Sequence, residues 1–311
     1  MSDRARAGYF VLFASVVCNA AGFHLVHVGV RLTSPYTTVS VACVAAAVAF
    51  LVVGAALRAS GQRGGRLREV TPAEMGRTFA RSWRMLTTSA VIGGTGGLLI
   101  VATNERYGPE TAAFLGNLTL VFLVLSGIAL GERLRRAEMV TISVILIGAF
   151  LFSSQGGEVQ WGALGLMGVA CAFTAGKQLL TKTVVGRGNP YAAVGVNALL
   201  MGAWALAAGL ATGNWVPPSP RALAFIVAGG LANSMVGMTL LYVGYNMIGV
   251  SRGAPIDALR PLAVLVIGLL LGKDWPAAAQ IVGGGMVLGG SVLLRMVSIK
   301  DPQAVPPRRR R

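Results

Sequence analysis

Ten apolar runs follow one another along the chain with short polar joints between them, and a soluble core cannot absorb that pattern. The runs are 9–30, 36–57, 85–104, 109–130, 138–153, 160–181, 190–212, 221–245, 252–271 and 276–296. A helix that crosses a bilayer needs about 20 mostly apolar residues, which all but the short fifth run supply. Hydrocarbon offers the backbone no partner, so each run must satisfy its own N–H and C=O groups as a helix. The alternating polarity of a membrane barrel is absent. Pro35, Pro109, Pro190, Pro220 and Pro276 stand at or just before run starts, where a missing N–H costs nothing. The expectation is an all-α integral membrane protein with ten transmembrane helices.

Only 12% of the 311 residues are charged, about half the usual share of a water-facing protein. That excludes a soluble enzyme, a disordered chain and a secreted disulfide scaffold. The net charge of +16 falls in short clusters between runs, with no basic face interleaved with aromatics, so no nucleic acid partner is expected. Cys18, Cys43 and Cys171 all lie inside apolar runs without metal spacing, so they read as buried small hydrophobes; no metal and no cofactor are expected. The first run continues past Asn19 to Val30, too long for a cleaved signal segment.

With the N-terminus inside, 21 Lys and Arg fall on the cytoplasmic side, chiefly in 58–84 and the tail, and 4 (Arg31, Arg106, Arg221 and Lys273) outside. The positive-inside rule then puts both ends of the chain in the cytoplasm, in a multi-pass protein of the cell's inner (cytoplasmic) membrane. The arginine-rich stretch 58–84 and the basic tail 297–311 read as topology anchors beside membrane lipid head groups. A monomer and a homodimer both remain open.

The chain also repeats. A shift of 141 residues carries Gly108 onto Gly249, Gly127 onto Gly268, Leu130–Gly131 onto Leu271–Gly272 and Gly148 onto Gly289. Earlier in each half the shift is 154–155, carrying Gly22 onto Gly176 and Pro35–Tyr36 onto Pro190–Tyr191. Residues 1–153 and 160–296 are thus expected to be two five-helix repeats, and 297–311 a separate basic tail. Five is odd, so the second repeat enters the membrane inverted, an arrangement that places substrate between repeats near the midplane.

The segments LSGIALGERLRRAEMVTISVILIGAFL and VIGLLLGKDWPAAAQIVGGGMVLGGSVLL, which close the halves, resemble the drug/metabolite transporter superfamily, EamA type. The carrier of the likeness is the apolar run followed by Leu130-Gly131-Glu132-Arg133-Leu134. The resemblance covers essentially the whole chain and implies a ten-helix transporter whose relatives move amino acids, drugs and metabolites. Two departures stand out: Lys273-Asp274 where the family pattern has an acid directly after glycine, and Leu120 in the fourth run where the ninth has Pro261.

Charged side chains in a span are costly and mark cavities or pairs. Asp257 and Arg260 share a helical face three residues apart, bracketed by Pro255 and Pro261. Pro261 frees the Asp257 carbonyl, as a broken-helix ion or substrate site requires. Lys177, Asn197 and Asn233 fall with Asp257 in the cytoplasmic half of the membrane, and His24 and Asn117 in the outer half, giving two polar belts. Tyr242, with Phe23, Phe114, Phe122 and Tyr245, is a candidate pocket lining. Each asparagine also fits an interhelical hydrogen bond, and His24 a structural histidine. Glu105 and Glu110 read as solvated loop charge. The glycines at 93–97, and the pairs Gly127/Gly131, Gly268/Gly272 and Gly285/Gly289, read as close helix contacts.

The expected activity is secondary transport of a small amphipathic molecule, amino-acid-like or drug-like, by alternating access, outward and proton-coupled. Asp257, with Arg260 or Lys177, is the coupling or zwitterion-binding candidate. An importer or a carrier of lipid-linked substrate on the same fold is the alternative. A membrane enzyme lacks its cluster of acids or histidines, and a sensor lacks a soluble appendage.

Overall fold

The computed structural model describes residues 3–60, 65–129, 136–155, 158–185, 189–248 and 256–299. Helices α1 (Asp3–Arg31), α2 (Pro35–Ala59), α3 (Gly65–Arg68), α4 (Pro72–Tyr107), α5 (Pro109–Gly116), α6 (Leu118–Ala129) and α7 (Arg136–Phe152) form the first half. A hairpin pairs Ser154 with Val159 and Gln155 with Glu158. The second half holds α8 (Trp161–Val185), α9 (Pro190–Ala211), α10 (Pro220–Gly230), a π-helical turn (Leu231–Gly237), α11 (Met238–Ile248), α12 (Arg260–Leu270) and α13 (Ala278–Ile299).

Among the described residues seven helices are long and apolar enough to cross a membrane: Arg6–Arg31, Pro35–Ala59, Pro72–Tyr107, Pro109–Ser126, Trp161–Thr181, Pro190–Ala211 and Pro220–Tyr245. The other three expected runs also fall on helix, but on shorter ones or shorter apolar stretches (Arg136–Phe152, Arg260–Leu270 and Ala278–Leu294). The surface is that of a protein turned toward lipid. Phe10 is 74% and Leu270 80% exposed, while Ser15, Asn19, Ser89 and Asn197 are buried.

Four helices start by one device. Ser34, Thr71, Asn189 and Ser219 each accept a hydrogen bond from a first-turn N–H, and proline follows at once. The cap satisfies one orphan donor and the proline removes another, so the chain enters apolar surroundings with fewer bare N–H groups. The stretch 58–84, expected as a loop, is largely helical. Arg58 Nη1 donates to the carbonyls of Arg68 and Val70 at 2.8 Å, and α4 begins at Pro72 and bends at Ser82 (φ −135°) before entering its span.

Packing follows an exchange of halves. Helix α7 pairs with α13 and α2 with α9; α4 on α8 is mirrored by α1 on α10–α11, and α6 on α8 by α12 on α1. Close backbone approaches hold these pairs. A Cβ on Gly148 would meet Met286 Cβ, the Gly283 carbonyl and Val287 N at 2.7–2.9 Å. The glycines 93, 94 and 96 lie against Lys177, Trp204 and Phe173, as expected of close contacts. Gly285 and Gly289 do not: a Cβ added at either would meet nothing within 4 Å among the described residues, and Gly283 and Gly290 make the contacts with α7 instead. Gly272 is a helix end with φ +82° rather than a packing glycine. Gly127 and Gly131 lie outside the residues whose side chains are described.

Candidate functional site

Among the described residues three spans are interrupted, at or beside Asn117, Asn233 and the Asp257–Arg260 pair. The fourth breaks at Asn117, between α5 and α6, where Asn117 N donates to Phe114 O (3.2 Å) and Leu120 N to Asn117 O (3.0 Å). No proline makes this break. The Cys171 thiol of α8 donates to the freed carbonyls of Leu115 and Gly116 at 3.5 and 3.6 Å, supplying what the lost helical bonds leave open. The ninth breaks at the turn residues Ala258 and Leu259, ahead of Pro261 in the first turn of α12. The shift of 141 residues carries Asn117 onto Ala258, so both halves are broken at equivalent positions although one lacks the proline. The eighth widens into the π-turn; Ser15 Oγ of α1 donates to Gly237 O at 2.7 Å. Such turns are frequent at functional sites.

Asp257 Oδ1 receives a 2.6 Å hydrogen bond from Arg260 Nη2, and the Asp257 side chain is only 12% exposed. Arg260 Nε is buried without a partner among the described residues. Arg260, not Lys177, holds this carboxylate. Lys177 of α8 lays its stem across Gly93 of α4 and lies within electrostatic reach of the Cys43 thiol on α2. Among the described residues no carboxylate pairs with it. Asn233, in the π-turn, packs its Cβ against Gly22 of α1. Asn197 bonds within its own helix, Nδ2 to Met201 Sδ at 3.3 Å, and its buried Oδ1 has no partner among the described residues. Asn117 Nδ2 is likewise buried and unpartnered there. The Tyr242 side chain, Pro255 and Ser251 lie outside the described residues. Of these candidates Asp257 and Arg260 touch each other, whereas Asn233 packs on α1, Lys177 crosses α4 and Asn197 bonds within α9.

His24, buried on α1, places Nε2 2.8 Å from the Val264 carbonyl of α12 and 4.0 Å from Glu110 Oε1. Glu110 is not a solvated loop charge. Its side chain is 18% exposed and bonds Lys273 Nζ at 2.8 Å through Oε2, and its carboxylate packs on the Cα of Gly268. The turn at Gly108 (φ +90°) starts α5 at Pro109 and so aims Glu110 inward; Gly272 (φ +82°) reverses the chain after α12, and Lys273 N closes onto Gly268 O at 3.1 Å. The sequence signals were present, a proline and a glycine each one step before a charge, but the partners are 163 residues apart. His27 Nδ1 bonds the Asn104 carbonyl at 2.8 Å. Among the described residues no three His, Cys, Asp or Glu side chains converge on a metal position, and Cys18, Cys43 and Cys171 are unpaired.

Fifteen chains of solved structures match this one. One of them, described only as the crystal structure of a protein, superposes with a TM-score of 0.64 over 95% of this chain and 99% of its own at 13% identity, which shows a shared fold. No curated protein sequence matches the chain. The EamA-like transporter family matches twice, over residues 6–154 and again over 160–296, and the chain, a multi-pass membrane protein, belongs to that family.

Proposed function

We propose that the chain is a secondary carrier that moves a small amphipathic metabolite out of the cell by alternating access, driven by protons. Ten spans cross the inner membrane as two inverted halves, 1–153 and 160–296, with both ends and the basic 297–311 tail in the cytoplasm. The observation that carries this reading is the pair of helix breaks at equivalent positions, Asn117 and Ala258–Leu259, within packing that maps onto itself when the halves are exchanged. Rocking one half against the other about such breaks opens either side in turn.

Lys177, a cation with no carboxylate partner among the described residues, suits a substrate carboxylate. Asp257 and Arg260, already paired at 2.6 Å, suit a zwitterion whose ammonium and carboxylate replace each partner. His24, Asn117, Asn197, Asn233 and Tyr242 are the proposed polar contacts to the rest of the substrate. The test is uptake into proteoliposomes under an imposed pH gradient of either sign, screening amino acids and cationic dyes. Gradient-dependent accumulation of at least one compound, driven by exchange for protons, is the expected result. A protein that moves none of them under any gradient overturns the reading, and one that works only with the opposite sign makes it an importer.

A further inference from the structure

At one end of the bundle, the end that carries Arg31, Gly108 and Lys273, three elements from both halves converge on one carboxylate. Glu110 opens α5; His24 approaches it from α1; Lys273 reaches it from the turn that follows α12. The two carboxylate oxygens are not equivalent. Oε2 holds Lys273 at 2.8 Å, whereas Oε1 is buried, has no hydrogen-bond partner among the described residues and lies 4.0 Å from His24 Nε2. A buried carboxylate oxygen without a donor is expensive, and little room exists for relief because the carboxylate already rests on Gly268.

We infer that Glu110 is a proton-binding site that latches this end of the molecule: ionised, it holds Lys273 and keeps the end shut; protonated on Oε1, it releases Lys273 and lets the turn after α12 swing away. The proton comes from water, directly or by way of His24, and sits on the oxygen that has no other partner. No bond other than O–H forms. Besides His24 and Lys273, which face Glu110, the ends of the elements that meet there carry His27 and Arg31 on α1, Glu105, Arg106 and Tyr107 on α4, and Asp274 in the turn. His27 is engaged with Asn104 rather than Glu110, and Arg106 and Asp274 point to solvent. The latch joins residues from both halves of the chain. It deepens the carrier reading, on which its use for coupling rests, by naming where the proton binds.

The test reads the latch without substrate or gradient. In the full-length chain, with Cys18 and Cys43 changed to Ala and Cys171 to Ser, spin labels are attached at Arg106→Cys and Asp274→Cys, and their separation is measured in lipid nanodiscs at pH 8 and pH 5. The expected result is a single short distance at pH 8, a longer component at pH 5, and that longer component at both pH values in Glu110→Gln and in Lys273→Met. Distances that ignore pH overturn the inference, as does a pH response that survives Glu110→Gln unchanged, which would place the proton on another group. Because nothing needs to be transported, failure of the vesicle assay alone counts against the carrier reading and not against the latch.

Discussion

Asp257 and Arg260 neutralise each other across a single turn, and that closeness decides how each responds to substitution. Removing one member leaves the other charge in a poorly solvated place, a loss of about 3 kcal/mol or less given the partial exposure of the arginine. Asp257→Asn is therefore expected to lower the unfolding temperature in detergent and to abolish gradient-driven movement. The double variant Asp257→Asn, Arg260→Gln regains most of the stability and none of the transport. Recovered transport in the double variant removes the pair from substrate handling and leaves it a structural bridge. The pair was legible from sequence because its members are neighbours on one helical face. The Glu110–Lys273 pair was not, because only the fold brings together charges from opposite halves, and a glutamate after Pro109 looks like any exposed first-turn acid.

Helices were the most legible elements, since hydrocarbon permits little else. Their interruptions were legible only where proline marks them. Pro261 announces the ninth span's break, but the fourth is broken through Asn117 and a thiol from another helix, and the π-turn of the eighth depends on Ser15 of α1. Neither support is a local signal. Glycine spacing misled for a similar reason: four-residue spacing puts Gly285 and Gly289 on one face, where an added Cβ meets nothing within 4 Å among the described residues. Gly283→Ala, whose new Cβ would collide with backbone N of Phe152, is expected to destabilise by about 1–3 kcal/mol through overpacking. Gly289→Ala, with open space and better helix propensity, is expected to be neutral or to stabilise by about 0.5–1 kcal/mol. Thermal unfolding of the two variants in the same detergent checks the contrast, and equal losses would mean α13 is turned differently against α7.

For the whole molecule, a carrier must open one end only when the other is shut. A bifunctional thiol cross-linker joining Arg106→Cys to Asp274→Cys, in a chain otherwise free of cysteine, is expected to stop proteoliposome transport, which returns when a cleavable linker is cut. Transport that continues while cross-linked would show that this end does not need to part. The repeat was legible in glycine and proline spacing, whereas the helix each polar side chain meets was not, because depth along a helix says nothing of the direction a side chain takes around it.

The two breaks differ in kind. Pro261 has no N–H to give, so the gap before α12 persists in every conformation. The gap at Asn117 keeps its backbone donors and is bridged by weak sulfhydryl contacts, so its backbone chemistry does not forbid a continuous helix. The halves therefore match in shape and differ in what holds each break open. If they rock as proposed, the two strokes are unequal and the molecule has a preferred resting posture even before cargo arrives.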